Sequence, residues 1–391
     1  MGPKGFHYAT ASAGIKAPRR KDMALIFSET EATIAGTFTT NAVKAAPVQT
    51  CLKKIKSGKA RAIVVNSGNA NACTGTQGTK DTRHIISLVS QQLGIPSSHT
   101  YMCSTGVIGT PLPMIKMVPA INKLTENLGN ASLRNVAKAM MTTDTFPKTV
   151  SKKIRIGKKI GTISGVCKGA GMIAPHMATM LCFILTDIAI DQKTLNVLLR
   201  RSVEQSFNRI TIDGDRSTND TVLMMANGMI GNVPVKRTSP SFDSIQKTLN
   251  DLTDSLSRLI VTDAEGATKA VEILIRNSKN KSEAKAAGFA VANSLLVKTA
   301  LYGKDPNWGR IMAALGYAGI TFNPERTDIY FNAVKVVAGG ISNHRDRLAA
   351  KALAAQKLKI TIDLHRGSAS ALVLTSDISE QYIRINADYR T

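Results

Sequence analysis

The sequence predicts an α+β protein in which layered sheets pack against helices. Short apolar runs typical of buried strands are mixed with longer segments whose apolar residues recur every three or four positions. The two kinds of segment follow no regular β-α-β period, so an α+β arrangement is favoured. The chain has 391 residues, 43% of them hydrophobic, and is long enough for a large core in two or three domains.

The first half of the chain predicts two strands and two helices. Residues 62–66 form an apolar run that ends in a turn, and residues 180–188 are apolar enough for a central strand. Residues 81–93 carry apolar side chains at helical spacing. Asp191 is a suitable N-cap for a second helix, because a strong apolar stripe follows it.

The second half predicts a further set of elements after a soft domain boundary at residues 230–243, where prolines and Ser/Thr/Lys residues precede a helix. The strand at 358–364 is supported by strict alternation of apolar residues. The expected helices cover residues 243–259, 282–299 and 344–357, and the expected strands cover residues 358–364, 369–374 and 381–385.

Composition restricts the class of protein. No run of about 18 apolar residues exists, so no membrane span is expected, and the N-terminus lacks the apolar core of a secretory signal. The five scattered cysteines form no Cys-x-x-Cys pair, which fits reduced thiols and a cytoplasmic location. The net charge of +24 would attract anions, but the basic residues are dispersed and lack interleaved aromatic residues. We therefore expect a solvated basic surface rather than specific nucleic-acid binding.

The most informative segment is residues 168–181, where a glycine-rich approach leads to Thr179 and then to an apolar run. A hydroxyl is a weak nucleophile unless a base lies beside it. Cleaving the peptide bond before a threonine supplies such a base, because the new α-amine belongs to the same residue. The structural alternative is a turn that simply enters a strand.

A second segment could stabilise the negative charge that develops during acyl transfer. Residues 103–109 read Cys-Ser-Thr-Gly-Val-Ile-Gly. A Thr-Gly pair in a tight turn can offer a hydroxyl and an unhindered backbone N–H together. Such turns are common, so this signal alone is weak.

The chain resembles the ornithine acetyltransferase family, the glutamate N-acetyltransferases of arginine biosynthesis, nearly from end to end. Residues 168–181 resemble its self-cleavage site, and residues 104–109 resemble its oxyanion turn. Further matching motifs occur in the same order at residues 38–41, 66–72, 142–145, 213–220, 263–269, 305–310 and 386–391.

The resemblance implies self-cleavage between Ala178 and Thr179 into an α chain of residues 1–178 and a β chain of residues 179–391. Thr179 would then be the nucleophile, with its freed amine as the base. Thr105 and Gly106 would form the oxyanion hole. The implied reaction moves an acetyl group from N-acetylornithine to glutamate through an acetyl-Thr179 ester.

The resemblance also implies a set of substrate-binding residues. A lysine suits a substrate carboxylate or the negative charge that develops during transfer, and a glutamate suits the ammonium group of ornithine. Neighbouring threonines leave Thr142 and Thr143 as alternatives for one position. The implied substrate contacts are Thr142, Lys168, Thr179, Glu265, Asn386 and Thr391.

Further expectations come partly from the resemblance and partly from the residues themselves. The chains would assemble as an α2β2 heterotetramer, and the transfer would need no cofactor. The aspartates of residues 213–220 imitate part of a calcium loop but lack its twelfth-position Glu, so we expect a structural turn and no metal. His176 stands where the family usually has Asn, so it could either alter self-cleavage or be a tolerated neighbour whose side chain keeps a hydrogen bond.

Three alternative functions remain open at this point. The enzyme could also use acetyl-CoA to make N-acetylglutamate, and an assay with acetyl-CoA would separate the two versions. A self-cleaving aminopeptidase would pass the acyl group to water instead of glutamate. A non-enzymatic basic protein would bind nucleic acid with a steep dependence on salt.

Overall fold

The protein is represented by a computed structural model that describes residues 2–16, 20–174 and 180–388. The described strands are β1 Phe6–Ala11, β2 Met23–Phe38, β3 Lys59–Asn69, β4 Thr100–Val107, β5 Lys148–Ile156, β6 Lys159–Lys168, β7 Leu181–Thr186, β8 Thr221–Ala226, β9 Ala270–Ser278, β10 Asp328–Phe331, β11 Val334–Ala338, β12 Ile341–Ser342, β13 Lys357–Asp363 and β14 Ala369–Ser376. The described helices are α1 Ala46–Lys54, α2 Gly75–Leu93, α3 Met114–Glu126, α4 Leu133–Met140, α5 Gln192–Glu204, α6 Phe242–Thr262, α7 Lys281–Asn293, α8 Leu295–Tyr302, α9 Trp308–Gly316, α10 Asp346–Leu353 and α11 Glu380–Asp388.

The first sheet is built around the long strand β2. Its order is β4-β3-β2-β8-β7-β6-β5, and β1 pairs with the beginning of β2. The pairing of β2 with β3 shifts between Phe27 and Ala32, which marks a bulge in the middle of β2. Residues of β2 before the bulge pair with β1, whereas Thr33–Phe38 pair with β8.

The two halves of this sheet face each other across a shared core. One apolar cluster combines Ile63 and Tyr101 from the β1–β4 half with Phe183 and Leu223 from the β6–β8 half. The outer face of the first half packs against α2 and α3, and the outer face of the second half packs against α5 and α6. This part of the chain therefore has four layers: helices, one half of the sheet, the other half of the sheet, and helices. The arrangement confirms the predicted α+β class.

The second sheet follows α6 and has its own core. Its order is β12-β11-β10-β13-β9-β14, and β13 runs parallel to β9. The alternating residues Leu358, Ile360 and Ile362 are all buried, as their spacing predicts. Helices α7 to α10 pack on these strands.

Three predictions for individual elements need correction. The single helix expected over 282–299 is two helices, because Ser294 has extended backbone and caps α8 by accepting from Val297 N. The strand expected over 381–385 is part of helix α11. The helix expected over 344–357 is the shorter α10. The soft boundary expected at 230–243 stays a prediction, and helix α6, which follows it, packs on β5 and β6.

Candidate active site

One polar pocket of about 310 Å³ gathers every predicted site residue that lies in the described ranges. It opens where β3, β4 and β6 end and where the loop before β8 begins. The predicted residues that line it are Thr105, Gly106, Thr142, Lys168, Glu265 and Asn386. Thr143 lines it as well, so the structure leaves the choice between Thr142 and Thr143 open.

The Thr105–Gly106 turn is held in an unusual backbone shape at the end of β4. Gly106 has φ +133°, a value that side chains rarely allow. A Cβ at this position would lie 2.3 Å from the carbonyl carbon of Gly68 on the neighbouring strand β3. Glycine is therefore required at this position for β3 and β4 to approach each other. The turn itself lines the pocket.

The asparagines around this turn fix its position. The Asn219 amide donates to the carbonyl oxygens of Ala70 (2.7 Å) and Ser104 (2.8 Å). Ser104 in turn donates to the side-chain oxygen of Asn66 at 2.6 Å. Buried polar groups are costly unless they are paired, so this network stabilises one geometry of the turn.

Lys168 ends strand β6 and brings a positive charge to the pocket. Its side chain is only 4% exposed, and its ammonium group makes no hydrogen bond within the described part of the chain. Burial lowers the pKa of Lys168, an effect that the charge of Asp144 opposes. A buried ammonium that faces a cavity is suited to bind an anionic group of a ligand.

A buried ion-pair network lies behind Lys168. The Lys148 ammonium contacts Asp144 at 2.7 Å and also contacts Asp263. Burial acts to raise the pKa of Asp144, but the charges of Lys168 and Lys148 outweigh it and lower that pKa to about 2. The Asp144 carboxylate also accepts from Gly169 N at 2.7 Å. The network thus ties the start of β5 to the segment that follows β6.

Glu265 supplies negative charge on another wall of the pocket. Its backbone N–H donates to the carbonyl oxygen of Ala170 at 2.9 Å, and its carboxylate accepts from the Asn386 amide at 2.8 Å. A Cβ on Gly171 would lie 2.2 Å from that carboxylate, so glycine allows the close approach. Helix α11 therefore places Asn386 in the site through a helical turn, not through the strand that the sequence predicted.

The loop before β8 anchors both sides of the predicted cleavage segment. Asp213 accepts from Met172 N (2.6 Å) and Ile173 N (2.8 Å), and burial raises the pKa of Asp213. On the other side, Asp220 accepts from Met180 N at 3.1 Å. The turn predicted at 213–220 is thus next to the pocket, where Asp213 and Asp215 line the wall.

Some predicted residues lie outside the described ranges. These are the predicted cleavage residues Ala178 and Thr179, the neighbouring His176 and the C-terminal Thr391. Their predicted roles remain predictions. Met180, which follows Thr179 directly in sequence, is buried beside the pocket loop.

Sequence reasoning did not assign roles to several residues that build the pocket. Asp213, Asp215, Asn219 and Tyr382 line it, and the Lys148 network supports it. Most of them belong to matching motifs, which was a usable signal. The contacts of Asn219 with Ala70 and Ser104, and of Tyr382 with Asp213, join residues more than a hundred positions apart, and no local pattern reveals such pairs.

Fold and site together define a class: a layered α+β protein with a small polar pocket that offers a buried cation, carboxylates and a glycine turn. A family model described as the ArgJ family matches residues 7–391. The chain is 48% identical over 393 residues to the arginine biosynthesis bifunctional protein ArgJ of Geobacter sulfurreducens, with 100% of both covered. It is 44% identical to the protein of that name from Caldanaerobacter subterraneus subsp. tengcongensis, covering 100% of this chain and 98% of the relative.

A solved structure is also similar. The crystal structure of arginine biosynthesis bifunctional protein ArgJ from Bacillus halodurans matches with a TM-score of 0.51 and 36% identity, and the match covers 53% of this chain and 98% of that chain. The chain described here belongs to the ArgJ family. No helix within its described residues is long and apolar enough to span a lipid bilayer.

Proposed function

We propose that this protein transfers the acetyl group of N-acetylornithine to glutamate, giving ornithine and N-acetylglutamate. The observation that carries the proposal is the pocket itself. It unites the Thr105–Gly106 turn, the buried Lys168 and the carboxylate of Glu265 beside the residue that follows Thr179. The names of the ArgJ relatives support the assignment to arginine biosynthesis.

The proposed reaction begins with maturation. The hydroxyl of Thr179 attacks the carbonyl of Ala178, the acyl group moves from nitrogen to oxygen, and water hydrolyses the ester. This leaves an α chain of residues 1–178 and a β chain of residues 179–391. The solved Bacillus halodurans chain supports such a division, because a match over 98% of it spans only 53% of this chain.

In the mature enzyme, the α-amine of Thr179 accepts the hydroxyl proton as the oxygen attacks the acetyl carbonyl. The Thr105 hydroxyl and the Gly106 N–H donate to the resulting oxyanion, and each such donor is typically worth about 3 kcal/mol. The C–N bond then breaks, and the ornithine amine takes the proton from the Thr179 ammonium. Glutamate attacks the acetyl-Thr179 ester in the second half of the cycle.

The charges of the pocket suit these substrates. Lys168 binds the α-carboxylate, and Glu265, oriented by Asn386, binds the side-chain ammonium of ornithine. Thr142 or Thr143, and Thr391 from the C-terminus, complete the substrate contacts. The transfer requires no cofactor, because nucleophile, base and oxyanion donors are all protein groups.

A second activity is favoured by one observation: the relatives carry the word bifunctional in their names. The same acetyl-Thr179 ester could form from acetyl-CoA, which would give N-acetylglutamate without ornithine. We also propose a cytoplasmic enzyme that assembles as α2β2. Its five cysteines are unpaired and four of them are buried, which fits a reducing compartment.

The test compares the wild type with Thr179→Ala in an assay with N-acetylornithine and glutamate. The wild type should produce ornithine and N-acetylglutamate and should gain the mass of one acetyl group when glutamate is omitted. The variant should lose both cleavage and transfer. Transfer that persists in Thr179→Ala would contradict the mechanism, and a parallel assay with acetyl-CoA decides the second activity.

A further inference from the structure

Asp220 is a buried carboxyl group whose two oxygens have different surroundings. Its Oδ1 accepts from Met180 N at 3.1 Å, but its Oδ2 has no hydrogen-bond partner within the described part of the chain. The neighbouring Thr39 hydroxyl donates to the carbonyl oxygen of Ser217 at 2.7 Å. A fully buried carboxyl oxygen without a partner is rare in proteins and calls for an explanation.

The position of Asp220 is rigid. Its backbone carbonyl accepts from Thr39 N at 2.9 Å, and the next residue, Thr221, donates its N–H to the carbonyl of Met180 at 3.1 Å. The preceding residue, Asn219, holds the end of β4 through Ser104. Two consecutive residues therefore connect the proposed oxyanion turn with the first residue after the nucleophile.

Covalent geometry limits how far the bond that is proposed to break can lie from the amide that Asp220 binds. Three covalent bonds separate the Thr179 nitrogen from the Met180 nitrogen, which limits their separation to about 3.7 Å. Asp220 already binds the Met180 nitrogen. Among the described groups, it is the carboxyl that contacts this amide.

The protonation state of Asp220 fits a donor. Burial raises the pKa of Asp220 well above its usual range, and the hydrogen bond from Met180 N–H and the charges of Lys168 and Arg216 only partly oppose this. The carboxyl therefore holds a proton under conditions in which an exposed aspartate has lost it. Such a group can act as a general acid.

We propose that Asp220 is the proton donor to the Thr179 nitrogen during self-cleavage, an inference that rests on the proposed function. As the Ala178–Thr179 C–N bond breaks, Oδ2 gives its proton to that nitrogen, which becomes the free amine. The proton that the Thr179 hydroxyl loses on forming the C–O bond returns to Asp220. Protons and bonds balance, and no other reactant is needed before water hydrolyses the ester.

The test uses Asp220→Asn in the full chain, with cleavage followed by intact mass under denaturing conditions. The amide keeps an oxygen for Met180 N–H but cannot exchange the proton. We expect cleavage to slow by about 100-fold, a typical contribution of general acid catalysis, with an unchanged thermal midpoint. Asp220→Glu, which restores a carboxyl group, should cleave faster than Asp220→Asn.

The matched control is Asp213→Asn, which alters the carboxylate on the other side of the same segment. It should cleave much faster than Asp220→Asn. Equal slowing in both variants would mean that the loop only holds the chain, and wild-type cleavage in Asp220→Asn would also overturn the inference.

Hydroxylamine separates the two chemical steps, because it cleaves an ester but not an ordinary amide. Asp220→Asn should be cut no faster with hydroxylamine than without it, since the slowed step is the one that forms the ester. Cleavage that hydroxylamine brings back to the wild-type rate would show that the ester forms without Asp220 and would refute the donor role. A wild type that is never cut before Thr179 would instead refute the proposed function together with this inference.

If Asp220→Asn does not fold, the freshly translated wild-type precursor provides the decisive measurement. A required acid predicts a cleavage rate that falls as pH rises through the pKa of Asp220. A rate that increases with pH would overturn the proposal.

Discussion

At the scale of single residues, the pocket depends on buried charges, whose electrostatic interactions are stronger than those of exposed charges. Lys168 is the clearest case, because it faces the cavity without a hydrogen bond in the described part of the chain. Its motif identified it in the sequence. Its burial and its coupling to Asp144 depend on the end of β6 meeting the segment after α4, which sequence spacing does not reveal.

Replacing Lys168 by Met should raise KM for N-acetylornithine about tenfold or more, because a charge-assisted hydrogen bond to the substrate is lost. Lys298→Met is the control, since this lysine is equally buried but donates to Thr375 and Ser376 outside the pocket. Steady-state kinetics should show a normal KM in the control. Equal KM values in both variants and the wild type would contradict the assignment.

The same lysine predicts a dependence of binding on pH. Lys168 must be protonated to bind a carboxylate, and burial lowers its pKa below the ordinary 10.5. Affinity should therefore fall as pH rises through that lowered pKa. In Lys168→Arg the side chain stays charged, so this alkaline rise in KM should disappear. Its persistence would assign the titration to another group.

Asp144 should contribute to the free energy of unfolding at neutral pH, and this contribution should be lost in acid. Its pKa of about 2 in the folded protein lies below the ordinary 3.8, so its stabilisation is present above pH 3.8 and is lost as pH falls through about 2. Urea denaturation near neutral pH should show that Asp144→Asn lowers the free energy of unfolding by about 2 kcal/mol. The difference from the wild type should shrink in acid.

The control for this measurement is Asp251→Asn, because Asp251 pairs with Lys247 on the surface at 2.9 Å with both side chains largely exposed. Such pairs contribute about 0–1 kcal/mol. A loss in the control as large as that of Asp144→Asn would mean that burial of the ion pair is not the cause.

At the scale of elements, the sequence predicts those whose pattern is long and local. Helix α5 begins where the Asp191 cap predicts, and β13 shows the predicted alternation. The break between α7 and α8 was missed because Ser294 can continue a helix or cap one, and here capping prevails. The segment 381–385 is too short for its apolar residues to distinguish helical spacing from strand alternation. The contacts that Tyr382 and Asn386 make at the pocket favour the helix.

The turn after β4 gives the prediction at this scale. In Gly106→Ala, the new Cβ would meet Gly68 at 2.3 Å and displace the oxyanion donors. We expect kcat, expressed per cleaved molecule, to fall by about 100-fold or more. Gly109→Ala is the matched control, since Gly109 also has positive φ (+83°) but no atom within 4 Å of the added Cβ. Similar losses in both variants would point to strain alone.

At the scale of the whole molecule, the predicted layers exist, but the way in which one sheet folds over on itself was not predictable. It depends on the bulge in β2, where the tetrad Ser-Glu-Thr-Glu gives no distinct signal. The proposed α and β chains do not coincide with the two sheets. Strands β7 and β8 lie after the proposed cleavage point but belong to the first sheet.

This interleaving predicts that the cleaved chains remain together. Strand β6 of the α chain pairs with β7 of the β chain through six residue pairs, and β2 pairs with β8. Separation would break the shared core, so both chains should elute as one species from a native sizing column and as two in denaturant. Separation in native buffer would contradict the described sheet.

Self-cleavage at Thr179 is tested most directly by the intact mass of the purified wild-type protein under denaturing conditions. The proposed mechanism predicts two chains whose masses place the break between Ala178 and Thr179. A single uncut chain that still transfers the acetyl group would contradict it, because Thr179 would then lack the free amine on which the mechanism depends.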